Sequence, residues 1–278
     1  MVTSFAKRHF VSLAVLLVVC LALFANTLQN DFIWDDVHLI SENPYIKSVK
    51  NIPLFFTPHY WNNLHPFDER GDYRPVRTAT FALDYFFWQL NPAGYHLTNL
   101  LLHGINVLLV YCFIVFFLQH INNEASASQA QTRWWFSLPF LTALLFAAHP
   151  VHTESVSYIK NRSELLCFLF FLSSFMLSVG AMFQASRPRQ HLYRFLGLLA
   201  FCLAMFSKEV AVILPVTIIF YAICCLSVRG RKAAVINTGP HCIIIVLYFW
   251  FGQTALQTTE KISTTLNFTE HVLAVCKT

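Results

Sequence analysis

The apolar positions of this chain fall into long unbroken runs, and those runs set the elements to expect. The first covers 10–28 and carries no charge over 10–27. Eighteen helical residues rise roughly 27 Å, about the thickness of a bilayer core. Further runs at 97–118, 134–149, 165–184, 192–206, 210–226 and 236–251 predict spanning helices as well, about seven in all. The stretch 30–92 is of another kind. It is polar and aromatic, and Pro44, Pro53, Pro58, Pro66 and Pro75 punctuate it. Its apolar pieces, 52–56 and 81–88, are below spanning length, which predicts amphipathic segments along the membrane surface. The expected architecture is an all-α membrane protein, a polytopic helical bundle in a single domain over 1–278 with a large first loop.

Composition excludes an ordinary soluble domain. The chain is 56% hydrophobic and 12% charged, where soluble domains carry about 25% charged residues. Charge placement orients the bundle. Lys7, Arg8, Arg133, Arg187, Arg189, Arg194, Arg229, Arg231 and Lys232 fall on one side, and the short opposite loops hold only Lys160, Arg162 and Lys208. The positive-inside rule then gives a cytoplasmic N-terminus and a non-cytoplasmic loop 30–92. The first run is longer than a leader's apolar region and has no small-residue cleavage site before Asp31, so it reads as a retained span. Cys20, Cys112, Cys167, Cys202, Cys224, Cys225 and Cys242 lie inside apolar runs and read as small buried residues, leaving only Cys276 outside. The formal charge of +5 is modest, and no nucleic-acid partner is expected.

Chemistry enters with Asp35 and Asp36, adjacent carboxylates that follow the first run directly. Paired acids beside lipid are costly unless water, a cation or a reacting group meets them; the competing reading is a solvated helix-end turn. Spacing does not separate the two. Glu154, Glu164 and Glu209 share their predicted face, as do Arg74, Arg77, Lys160, Arg162 and Lys208, cations suited to a phosphate. A site that moves a group from a lipid-borne phosphate to an acceptor needs both sets, a base for the proton and cations for the leaving phosphate. Arg74 and Arg77 share a face if Pro75 opens a helix. Glu154 and Glu164 read as partners for Lys160 and Arg162 or as plain loop ion pairs, and Lys208-Glu209 as an interior polar break or a self-neutralising pair. His149 and His152 with Glu154 invite a metal reading, but histidines around a proline break more often cap a span, so no metal is expected. His96 and His103, with Asn99 between them on one helical face, read as interhelical packing. The sequons at Asn161 and Asn267 do not read as glycosylation sites, the first lying tight against the membrane.

Trp34-Asp35-Asp36, Asn43-Pro44, Tyr73-Arg74-Pro75-Val76-Arg77-Thr78, Gly94-Tyr95-His96-Leu97-Thr98-Asn99, His149-Pro150-Val151-His152-Thr153-Glu154, Arg162-Ser163-Glu164-Leu165-Leu166 and Ser207-Lys208-Glu209 occur in that order. Together this set resembles the membrane part of the transmembrane-and-tetratricopeptide-repeat protein O-mannosyltransferases and their prokaryotic relatives, over about 25–215. The resemblance implies a GT-C type fold and an inverting, metal-independent transfer of a sugar, expected to be mannose, to a protein Ser or Thr hydroxyl. The implied donor is a polyprenyl- or dolichyl-phosphate sugar, a substrate and not a cofactor. Carried over residue by residue, Asp35 or Asp36 is the implied base. Arg74, Arg77, Arg162 and Lys208 are the implied phosphate ligands, supported by His152, Glu154, Glu164 and Glu209. The implied partners are the lipid-linked donor, an acceptor polypeptide and membrane lipid. The compartment follows the organism: the endoplasmic reticulum membrane in a eukaryote, the plasma membrane in a prokaryote. No 34-residue helical repeat is present in the sequence. The other readings are a carrier or flippase for the lipid-linked sugar and a non-catalytic truncated homologue that assembles with a partner.

Overall fold

The computed structural model describes residues 2–61, 73–121 and 133–263. The expectations for 62–72, the polar connection at 122–129, Cys276 and the Asn267 sequon lie outside the described residues, as do those for the side chains of Lys7, Arg8 and Arg229. The regular structure of the described residues is helical throughout. The helices are α1 (Val2–Phe24), α2 (Pro75–Trp88), α3 (Pro92–Ile121), α4 (Leu138–Ala148), α5 (His152–Ser157), α6 (Arg162–Met182), α7 (Arg187–Ser207), α8 (Leu214–Cys225) and α9 (Val228–Ser263), with short 3-10 and π-helical segments in the long loop between α1 and α2 and in several shorter connections. Proline marks several of the starts: α2, α4, α7 and α8 each have one at the first or second position, where its missing N–H costs nothing and its fixed φ suits the helix.

Five segments are long and apolar enough to cross a bilayer: His9–Gln29, Pro92–His120, Ile159–Met182, Arg187–Ser207 and Gly230–Gly252. Two more, Leu138–Ala148 and Glu209–Cys225, are apolar but shorter. The runs at 134–149 and 210–226 therefore form less regular α-helix than expected. Ser137 and Pro139 delay the start of α4, which ends at Ala148 with His149 extended before Pro150, and a 3-10 turn at Glu209–Ile213 occupies the first part of the other run. What is established is a polytopic bundle with five long apolar helices.

Two apolar cores hold the bundle. Leu16, Cys20, Val107, Tyr111, Phe140 and Ala143 interlock α1, α3 and α4, while Phe175, Val179, Phe201, Met205, Ile218 and Tyr248 interlock α6 to α9. The helices α3 and α6 pack on each other and join the halves. Small groups let α6 and α7 approach closely: Ser174 Oγ donates to the Gly197 carbonyl at 2.7 Å, and a Cβ on Gly197 would press on Ser178. Outward-facing side chains such as Leu145, Phe195, Phe220 and Val246 are apolar and exposed, as a lipid-facing surface requires. The same surface corrects the cysteine reading. Cys20 and Cys167 are buried, but Cys112, Cys224 and Cys242 face outward, because an apolar run has an outer side as well as an inner one.

A third core lies at one end of the bundle and positions the candidate site. Leu39, Ile40, Ile46, Phe55, Tyr60, Phe81, Ala82, Tyr95 and Ile159 gather the first loop, α2, the start of α3 and the turn before α6. As expected for the 81–88 piece, α2 is amphipathic. It buries Val76, Phe81, Ala82 and Asp84 and turns Leu83, Phe86 and Phe87 outward. It ends at Gln89, whose φ of 54° turns the chain directly into α3.

Candidate active site

The start of α2, the start of α6 and the end of α7 meet beside this third core, and one short segment, 158–164, touches Asp35, Asp36, Arg74 and Lys208. Asp35 Oδ2 accepts from Tyr158 Oη at 2.7 Å and from Lys160 Nζ at 2.6 Å. Asp36 Oδ1 accepts from the Lys160 backbone N–H at 2.8 Å. Ser163 Oγ meets Arg74 Nη1 at 3.5 Å, and Glu164 is ion-paired with Lys208. Arg74 Nη2 reaches Glu209 Oε1 at 3.3 Å, which ties α2 to the break after α7.

The two aspartates, equivalent by spacing, differ in environment. The Asp35 side chain is 34% exposed. The hydrogen bond from Lys160 holds its carboxyl below the usual range, burial opposing, with Tyr158 and the nearby His38 adding to the lowering. Asp36 is fully buried. Burial pushes its carboxyl up to about 6, against the backbone N–H groups of Lys160, Ile33 and Ile159 and with the help of the Asp35 charge. Its Oδ2 has no hydrogen-bond partner among the described residues. The preceding residue, Trp34, is 83% exposed and adopts φ 49°, a left-handed conformation uncommon for a bulky side chain. That turn lets two adjacent carboxylates face different surroundings.

A raised acid binds its proton more tightly in the folded chain than in the unfolded one. Asp36 therefore lends stability below its unfolded pKa of about 3.9, and loses it as pH rises to its folded value near 6, at up to about 1.4 kcal/mol per pH unit. The lowered Asp35 acts in the opposite sense and at lower pH. Asp36→Asn keeps the Oδ1 acceptor and removes the titration, so its melting temperature relative to the parent is expected to be higher at pH 7.5 than at pH 5. Thermal melts of the two proteins at both pH values check this, and an equal difference at the two would refute the assignment of a raised pKa to Asp36.

Arg162 is fully buried and turns inward. It contacts Asp84 Oδ2 at 2.5 Å, donates from Nε to Asn99 Oδ1 at 2.7 Å and from Nη2 to the Tyr95 carbonyl at 2.9 Å, and lies 4.9 Å over the Phe81 ring. Its guanidinium, implied by resemblance as a phosphate ligand, is engaged within the protein. Arg74 and Arg77 do flank and enter a helix opened by Pro75, and both are buried, Arg77 within electrostatic reach of Tyr60.

The acidic partners sort differently from expectation. Glu154 accepts from Asn161 Nδ2 at 3.1 Å, not from Lys160 or Arg162, and Glu164 meets Lys208. Lys208 and Glu209 do not neutralise each other, since each pairs with a different helix. His152 packs at a tilt in an aromatic group with His103 and Phe146, ring centroids 4.9 and 4.3 Å away. Burial and His149 nearby lower its pKa. His96, Asn99 and His103 are all buried on one face of α3, as their spacing predicts.

Residues not singled out by the sequence are Asp84, Tyr158, Thr80, whose Oγ1 accepts from Arg162 Nη1 at 3.3 Å, and Thr98, whose hydroxyl donates to Asp84, while Lys160 stands there only among the cations suited to a phosphate. The available signal for Asp84 was an acid set inside the aromatic run 81–88, a costly position without a buried partner.

No family model matches the chain, and no solved structure does. Curated relatives do. Over 199 residues the chain is 34% identical to human "Protein O-mannosyl-transferase TMTC4", a match that covers 69% of the chain and 26% of the relative. It is 29% identical to "Protein O-mannosyl-transferase Tmtc3" of Drosophila melanogaster over 68% of the chain and 21% of that protein. With "Protein O-mannosyl-transferase F38B6.6" of Caenorhabditis elegans it shares 31% identity over 60% of the chain and 23% of the relative. These matches thus span about a quarter of the relatives' own length. Moderate in identity and confined to a part of each relative, they support a place for this chain among the TMTC-type protein O-mannosyl-transferases.

Proposed function

We propose that this chain forms the membrane part of a glycosyltransferase that moves a sugar, mannose or a similar hexose, from a polyprenyl- or dolichyl-phosphate donor to a Ser or Thr hydroxyl of a polypeptide. The observation that carries the reading is the pairing pattern around 158–164. Three cations at one end of the bundle, Lys160, Arg74 and Lys208, each hold a carboxylate that is a third or more exposed: Asp35, Glu209 and Glu164. Carboxylates so placed occupy the positions a phosphate would take, and a phosphate, with more charge and more acceptor oxygens, competes well for them.

In this scheme the arriving donor phosphate draws Lys160 away from Asp35. The freed carboxylate takes the proton of the acceptor hydroxyl as its oxygen bonds to the anomeric carbon. The bond from that carbon to the phosphate oxygen breaks, and the lipid phosphate leaves with the electron pair, held by Lys160, Arg74 and Lys208. Asp35 is the base because it is accessible; Asp36, though its pKa is better matched, is sealed from solvent. Arg77 backs this cluster from the buried face of α2. Arg162 holds the turn and does not bind the phosphate.

The seven-span, GT-C-like topology belongs to the same proposal. The flanking turns at Trp134–Phe136 and Glu209–Ile213 lengthen the two shorter helices, and the N-terminus is cytoplasmic. Leu83, Phe86 and Phe87 of α2 rest in the interface of the opposite leaflet. In a eukaryotic cell the site faces the lumen of the endoplasmic reticulum, and in a prokaryote it lies outside the plasma membrane.

Lys160→Met tests the scheme. With purified protein, a mannosyl-phosphoryl polyprenol and an acceptor peptide, the donor KM is expected to rise about 10- to 100-fold, the loss of a charge-assisted contact. An unchanged KM removes Lys160 from the phosphate site. Movement of the donor lipid across a vesicle without sugar release supports a carrier instead.

A further inference from the structure

We propose that Asp84 is a positioning residue of this site, which through Arg162 and Asn99 sets the height of the turn that carries Tyr158 and Lys160 to the two aspartates. The inference rests on the reading of the aspartate pair as the acid–base centre, and it deepens that reading. Asp84 is 5% exposed and Arg162 fully buried, so neither meets a substrate. The connection is nevertheless continuous. Asp84 Oδ1 accepts from Thr98 Oγ1 at 2.7 Å, fixing the carboxylate between α2 and α3, while Oδ2 holds Arg162. Arg162 Nε donates to Asn99 Oδ1, and the Asn99 amide donates to the carbonyls of Val156 and Tyr158, both at 3.4 Å. Tyr158 and Lys160 then meet Asp35 through their side chains, and the Lys160 N–H meets Asp36.

This arrangement has a physical consequence. Arg162 is the first residue of α6, and its side chain anchors that helix start to α2 and α3 at the same time. The turn just before it, Ile159–Asn161, is a single 3-10 turn without a side-chain cap, so its own hydrogen bonds do not fix its height. The fix comes from Asn99 and Arg162, and Asp84 orients Arg162. If the carboxylate is lost, the guanidinium is no longer held on the α2 side, and Asn99 and the turn are free to shift. A shift of about 1 Å at a reacting group can cost about 10²-fold in rate.

The charged and titratable groups that face the aspartates are Lys160 and Tyr158 from the turn and His38 from their own segment. A shift of the turn moves the first two together. Asp84→Asn is therefore expected to lower kcat by about 10²-fold, and because Lys160 moves with the turn the donor KM rises too, by less than in Lys160→Met. A second readout needs no activity. In the parent background, Asp36→Asn is expected to shift the melting temperature upward at pH 7.5 relative to pH 5, and in an Asp84→Asn background that pH-dependent gain is expected to fall by half or more as water reaches Asp36. An unchanged gain, or an unchanged kcat in folded protein, overturns the proposal. If Asp84→Asn does not fold, Asp84→Glu retains the charge and displaces the carboxylate; a folded Glu variant must then show a reduced kcat and a reduced gain, and parent values for both overturn the proposal. If the chain releases no sugar at all, the functional reading falls, and the melting-temperature comparison alone still decides whether Asp84 positions the turn.

Discussion

Asp35→Asn is expected to reduce sugar release from a lipid-linked donor by about 10²- to 10⁴-fold, the range that general-base catalysis supplies. The amide keeps the size of the carboxylate and the acceptor for Tyr158 Oη and Lys160 Nζ, so the turn and the donor phosphate site are preserved. What disappears is the capacity to take a proton. Donor binding, measured with a non-hydrolysable phosphate lipid, is expected to hold or to tighten slightly, because Lys160 loses a competing charge. Asp36→Asn is expected to have the smaller effect, since its Oδ1 accepts the Lys160 N–H equally well as an amide and no substrate atom reaches the buried group. The contrast between the two variants is the measurement. Equal turnover by parent and Asp35→Asn would falsify the base assignment, and a larger loss with Asp36→Asn would transfer the role to Asp36.

The second large effect concerns stability. Arg162→Met removes the charged partner of a buried carboxylate and leaves Asp84 and the Asn99 and Tyr95 acceptors facing an apolar side chain. Breaking a buried ion pair from one side costs about 3–5 kcal/mol, because the remaining charge stays desolvated. Burial already pushes the Asp84 carboxyl up, with Arg162 and Thr98 opposing. Without Arg162 it rises further, and the variant escapes part of the penalty by protonating. The loss is therefore expected to be larger at pH 8 than at pH 5, measured as melting temperature in detergent. The double variant Arg162→Met with Asp84→Asn, which removes both charges, is expected to recover part of it. A loss that is equal at the two pH values would mean that Asp84 carries no buried charge.

These two variants also separate kinds of legibility. The importance of Asp35 and Asp36 could be read from two acids at the end of an apolar run, since such a position is costly whatever packs there. The role of Arg162 could not. Its neighbours in sequence, Ser163 and Glu164, meet Arg74 and Lys208, whereas Arg162 turns to Asp84, Tyr95 and Asn99, which precede it by more than sixty positions. In the same way, the sequence offers Glu154 and Glu164 as equal partners for nearby cations. Which one they meet depends on the rotation of α6 and on where the break after α7 falls.

By itself, then, the sequence determined the membrane character, the helical class and the positions of the long spans. Those follow from runs of apolar residues, and the cost of burying backbone in lipid leaves a helix as the solution for each run. It also determined the amphipathic α2, the helix opening at Pro75 and the buried face of His96, Asn99 and His103, which are local consequences of proline geometry and helical period. Only the tertiary structure decided that two apolar runs make helices short of a full span, and that Asp35 is accessible while Asp36 is sealed. It alone decided that Lys160 joins the aspartates and that Asp84 and Asn99 hold Arg162. The reason is that an ion pair is a choice among several carboxylates and several cations. That choice is made by distance and desolvation across helices remote in sequence, and neither quantity is written in the order of the residues.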